Sequence, residues 1–158
     1  MFSLDLSFKF KDVDFSFKAE CEKGKPHIFE AGEEALADRL FAELIFSGLE
    51  PNILALGDKT MFIRGSVSRN IYKALRFRSN KKTARSQLET ALDEYSLRDI
   101  AQRNIKQLSD EQLFAVALAR SHFRTADLLV VKKIGGYIKK ETKINFEKWP
   151  DAYIIEIV

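Results

Sequence analysis

Residues 108–133 read LSDEQLFAVALARSHFRTADLLVVKK, and the change of period inside them decides the fold. Ser109 and Gln112 stand at the S-x-x-Q spacing of a capping box, in which the serine oxygen accepts from the N3 amide and the glutamine reaches back to the cap amide. A helix therefore starts here. Leu113, Val116, Ala117 and the aliphatic stem of Arg120 follow at i, i+3, i+4 and i+7, the stripe of a helix buried along one face. After the polar break at Arg124 and Thr125, Asp127 leads into Leu128-Leu129-Val130-Val131. This short aliphatic run lacks alternation, as in a strand covered on both faces.

This helix, loop and strand resemble the ABC-type ATPase family, whose pattern is LSGGQ-x-Q-R-V-A-L-A-R, a short loop, four apolar residues and Asp-Glu. Leu108, Ser109, Gln112, Val116, Ala117, Leu118, Ala119 and Arg120 hold that pattern without a gap. The resemblance implies a truncated P-loop NTPase-like α/β fold. It would have N-terminal antiparallel strands, a mainly parallel core sheet and a small helical subdomain over about residues 61–106, within one domain spanning 1–158.

The departures bear on activity. Asp110 and Glu111 replace the two signature glycines, and Lys132 and Lys133 replace the Walker B Asp-Glu. In the family the signature helix offers its amides to a nucleotide phosphate on the partner subunit. Carboxylates in the first turn take that positive helix end for themselves and repel phosphate. Walker B needs a carboxylate because magnesium takes oxygen ligands. An ammonium group cannot ligate it.

Upstream, Phe2, Leu4, Leu6, Phe8 and Phe10 alternate with Ser3, Asp5, Ser7 and Lys9, and Val13, Phe15, Phe17 and Ala19 continue the alternation past Lys11-Asp12. Two half-buried antiparallel strands are expected. Gly24 and Pro26 mark a turn before a short strand at His27-Ile28-Phe29. This order resembles the opening of molybdate-type importer ATPases. The family's phosphate loop, G-x-x-x-x-G-K-S/T, would come next, with backbone amides and a lysine around the phosphates. The chain instead has EAGEEALADR over residues 30–39. Gly32 is the one loop glycine left, and the lysine position falls on Asp38 or Arg39, according to the register chosen against Gly48, Leu49 and Pro51. Ala37, Leu40, Phe41, Leu44 and Ile45 keep the spacing of a helix on a sheet.

Ile53–Leu56 reads as a strand, and Met61–Ile71 resembles the family's L-F-x-G-T-I-x-x-N-I segment, with Asp58 where the Q-loop glutamine would stand. Ala84, Leu88, Ala91, Leu92 and Tyr95 lie at helical spacing, and Ser96-x-x-Asp99 suggests the cap of a further short helix. Arg64, Arg69, Lys73 and Arg76 belong to a stretch without acidic residues between Lys59 and Leu88. It is either a solvated face or a docking surface for an acidic partner, anionic lipid or nucleic acid. A final strand is expected over 152–158.

Composition sets the outer limits. With 158 residues, 46% hydrophobic, the chain suffices for one well-buried core. A net charge of +3 is too mild to argue for nucleic acid, and no RNA- or DNA-binding motif is present. The single Cys21 suits a reducing compartment. No signal peptide or apolar run near the roughly 20 residues of a membrane span is seen, so a cytoplasmic protein is expected, at most peripheral to the inner face of a membrane. His27 and His122 read as structural residues, no metal site is expected, and no nucleophile-base pair is spaced for catalysis. Two classes of function remain: an inactive interaction or regulatory module that binds itself, a competent ABC ATPase or a permease, with no cofactor; or a divergent importer subunit that binds ATP through other lysines. If the family's geometry holds, Lys132 and Lys133 face Glu30, Glu33, Glu34 and Asp38 across the former nucleotide site, unless both point into water.

Overall fold

The computed structural model of the protein describes residues 2–46 and 52–158; Gly48, Leu49 and Pro51, which set the register of the phosphate-loop comparison, lie outside them. The chain divides into two compact units, residues 1–58 with 125–158, and residues 59–124.

The first unit holds two sheets. Strands β1 (Phe2–Phe10) and β2 (Val13–Cys21) form an antiparallel hairpin in which Phe8 faces Phe15 and Leu6 faces Phe17. Lys11 and Asp12 both take positive φ (49° and 62°), as a two-residue turn matched to strand twist requires. Leu4, Phe8, Phe17, Ala19 and Cys21 are buried while the alternating polar residues of β1 are exposed, so the period of two survives as an inside and an outside face. Phe15 and Phe17 meet Phe29 edge-on, with ring centroids 6.0 and 5.1 Å away.

The second sheet has the order β3-β6-β5-β4 and is parallel throughout. Its strands are β3 (Pro26–Phe29), β4 (Ile53–Leu56), β5 (Leu128–Lys132) and β6 (Tyr153–Ile157). Every residue of β5 is buried, as its unbroken aliphatic run requires. Helix α1 (Glu34–Phe46) packs on β5 through a stripe that includes Ala37, Leu40, Phe41 and Leu44. Together the two sheets and α1 give an antiparallel layer, a parallel core and its covering helix.

The second unit is helical: α2 (Val67–Arg76), α3 (Lys81–Glu94) and α4 (Asp110–Ser121) surround a core of Val67, Ile71, Leu75, Leu92, Val116 and their neighbours. Each helix starts at a side-chain cap, with Ser66, Asn80 and Ser109 accepting from the N3 amides of Arg69, Thr83 and Gln112. The capping box on α4 is complete, since Gln112 Oε1 accepts from the Ser109 amide at 3.0 Å. Buried Asn70 accepts from Ile63 N–H at 2.9 Å and donates to Ile63 O and Ser66 O, which pins the approach to α2.

One expected cap is absent. Ser96 does not start a helix; it takes φ 53° and ends α3, with Leu97 N–H donating to Leu92 O at 2.8 Å in the 6→1 bond of a Schellman motif. The turn that follows, Arg98–Ile100, has no side-chain cap. A serine committed to the left-handed region cannot present its hydroxyl as an N-cap, which needs extended backbone.

Candidate functional site

In open parallel sheets ligands bind outside the carboxyl ends of the strands. Here that region is occupied by the chain itself. Gly57 follows β4 with φ 111°, and a Cβ there would run into the Lys132 carbonyl oxygen. The two strand ends thus approach more closely than any other residue permits. Residues 133–138 then pass back over them. Gly136 lies against the Gly57 carbonyl so tightly that a Cβ would overlap it, Gly135 lies likewise against the Glu34 side chain, and Tyr137, only 3% exposed, accepts from Gly57 N–H through its hydroxyl at 2.9 Å.

Charges complete the closure. Lys132 ends β5 with its side chain 5% exposed, and its ammonium pairs with the Asp38 carboxylate, which is half exposed on α1. The same ammonium lies 5.7 Å from the centre of the Phe41 ring. The exchange foreseen from sequence between a β5 lysine and an acid at the start of α1 is therefore formed by Lys132 and Asp38. Lys133 pairs elsewhere. Its ammonium meets Glu156 of β6, and both side chains are under a tenth exposed. Glu30 and Glu33 face other cations, Lys140 at 3.9 Å and Lys11 at 2.7 Å, all at the surface.

The remaining positions singled out from sequence separate. Gly32 has φ 74° and open space around it. Arg39 turns away from Asp38, bridging Glu43 at 2.5 Å with its guanidinium 5.6 Å from the Phe8 ring centre. Asp58 is half-buried just past β4. Ser109, Asp110, Glu111 and Gln112 belong to the helical unit, where Ser109 and Gln112 cap α4 and Asp110 bridges Lys59 at 3.0 Å. Arg64, Arg69, Lys73 and Arg76 are all exposed; the last three share one face of α2, opposite buried Val67, Asn70 and Ile71. Among the described residues no group of histidine, cysteine and carboxylate is arranged to hold a metal. Cys21 is buried, and desolvation pushes its thiol up. His122 shares a 3.0 Å hydrogen bond with the Tyr95 hydroxyl through Nδ1.

Sequence reading missed Glu156, Gly57 and Tyr137. A lone glutamate in the apolar run YIIEI was the available signal for the first, since a carboxylate on a buried strand needs a cation. The glycines gave no such signal, because close backbone approach is a tertiary property.

Solved structures with this arrangement include an RNase-L inhibitor, at 17% identity and TM-score 0.56 over 98% of this chain and 33% of that one. The fold is that of an ABC-type ATPase domain. A second neighbour is cbiO1 from Clostridium perfringens, part of the ABC transporter complex cbiONQ, at 12% identity and TM-score 0.53 over 85% of this chain and 65% of that one. The ABC-type fold here thus spans a third of the first structure and just under two thirds of the second. No protein-family model and no curated protein sequence matches the chain. Among the described residues no helix is long and apolar enough to cross a membrane.

Proposed function

We infer that this ABC-type domain is a catalytically inactive interaction or regulatory module of a transport complex, one that keeps the scaffold of the ATPases without their nucleotide chemistry. The observation that carries this reading is the Lys132–Asp38 pair at the carboxyl end of β5. In a working ATPase a carboxylate there would hold magnesium, and a lysine at the head of the facing helix would neutralise phosphate. Here an ammonium stands where the resemblance places that carboxylate, and it pairs within the chain with Asp38, which together with Arg39 is one of the two residues on which the lysine position falls. Gly135, Gly136 and Tyr137 pack tightly against Glu34 and Gly57 at the same end of the sheet. Glu34 in the first turn of α1 takes the helix end that would otherwise attract an anion.

Partner binding is then the remaining use for the scaffold, and the exposed cations Arg64, Arg69, Lys73 and Arg76 offer a surface to an acidic protein. The partner classes that fit are a second copy, a competent ABC ATPase and a permease. The decisive experiment is a binding and turnover assay with Mg-ATP. Neither hydrolysis above a blank nor a thermal shift is expected, and because ligand stabilisation follows concentration over Kd, a null shift caps the affinity. Saturable Mg-ATP binding that Lys132→Met abolishes would overturn the reading in favour of a divergent ATP-binding importer subunit.

A further inference from the structure

A small cleft of about 100 Å³ opens where the end of α2, the middle of α3 and the end of α4 meet. Its walls include Arg78, Arg120 and Arg124, with Ser79, Gln87 and half-exposed Phe123, and no carboxylate among the described residues that line it. Three like charges gathered in one cleft repel one another, and the repulsion grows as water is excluded. Burial first, and then the charges of Arg78 and Arg120, hold the Arg124 guanidinium below its usual value.

Local structure fixes the arrangement. Ser79 donates its hydroxyl to Leu75 O at 2.9 Å and lies 3.5 Å from Gln87 Oε1, which ties the α2–α3 turn to α3. Arg76 Nη1 donates to Ser79 O at 2.8 Å across the same turn. Arg120 is held by its Nη1 donation to Met61 O at 2.7 Å and by stacking 5.3 Å from the Phe62 ring centre. It therefore contributes a positioned charge beside the cleft, whose walls Arg78 and Arg124 also form.

We propose that this cleft is a binding site for a small tetrahedral oxyanion, the dianionic phosphate of a phosphate monoester or inorganic phosphate itself. The volume suits one phosphoryl group. Guanidinium groups match phosphate oxygens through paired N–H donors, and a doubly charged anion offsets mutual repulsion that a singly charged one relieves only in part. Phe123 at the rim would lie beside whatever carbon skeleton bears the phosphate. The inference does not depend on the inactive reading given above, since all its residues belong to the helical unit and none to the closed end of the parallel sheet.

The test is calorimetric titration, at ionic strength held constant with chloride, of inorganic phosphate, glycerol phosphate as a monoester and dimethyl phosphate as a singly charged diester. Saturable binding is expected for the first two, with the diester about tenfold or more weaker. Arg124→Gln and Arg78→Gln should each weaken phosphate binding about tenfold or more, whereas Lys18→Gln, an exposed cation on β2, should leave it unchanged. Arg78 is exposed, so its substitution tests the site without challenging the core. Absence of saturable phosphate binding, or binding that both cleft variants retain, overturns the proposal. A nucleotide that binds wild type and Arg124→Gln equally, but not Lys132→Met, would instead locate a ligand at the parallel sheet; it would count against the inactive reading and leave the phosphate result to decide this one.

Discussion

The two lysines that end β5 differ in their partners' exposure, and that difference should be measurable. Lys133 and Glu156 are 8% and 7% exposed, whereas Lys132 at 5% faces Asp38 at 51%. Neutralising one member of a buried pair strands the other charge away from water, a loss of about 3–5 kcal/mol. Glu156→Gln should therefore lower the melting temperature by about 6–20 °C, at about 2–4 °C per kcal/mol for a chain of this length. Asp38→Asn removes the charge at a position that water already reaches, since the Asp38 side chain is half exposed, so its effect should be smaller, about 1–3 kcal/mol. Replacing the buried pair whole, Lys133→Met with Glu156→Leu, removes both desolvation terms and should return stability to within about 1 kcal/mol of wild type. Trp149, the sole tryptophan, is 3% exposed in the same unit, so its emission during urea unfolding follows this unit specifically. The reasoning fails if Glu156→Gln is no worse than Asp38→Asn, or if the double variant is as unstable as the single one.

Three further outcomes are expected. Gly57→Ala, at φ 111° with the Lys132 carbonyl in the way, should cost about 4 kcal/mol or more and show as loss of soluble protein or of native Trp149 emission. Asn70→Leu removes three hydrogen bonds to the segment before α2 and should destabilise the helical unit by about 2–3 kcal/mol, read from far-ultraviolet dichroism in urea. Ser96→Gly, by relieving a serine at φ 53°, should stabilise that unit by about 0.5 kcal/mol or more; a destabilised variant would refute the Schellman assignment.

Local signals carried far in this chain. The alternation of β1 and β2, the capping box at Ser109 and the unbroken run of β5 each depend on neighbours within one turn or one strand, so sequence order alone expresses them. Ser96 shows the limit of such reading: S-x-x-D fits an N-cap in composition, but the backbone there was already committed to closing α3. The closed crevice was half legible. Charge inversion at Lys132 and Lys133 was visible in the sequence, as was the acidic start of α1, yet which lysine met which acid depended on Glu156 arriving from another strand. The Gly57–Gly136–Tyr137 contact joins positions about 80 residues apart, a distance over which spacing has nothing to say.

The strand order also has a kinetic consequence. β6 stands between β3 and β5, and among the described residues β3 has no other sheet neighbour, so Pro26 waits for Ile154 before its strand can pair. Chain synthesis proceeds from the other end. Residues 59–124 contain the partners of their own three helices and can pack while β3 is still single. The parallel sheet closes only once residues 153–157 have been made, and such long-range pairing is slow. During that interval the edge of β5 is left without its partner strand, which is the window in which a chaperone or a partner chain would meet this protein as a nascent, half-assembled sheet.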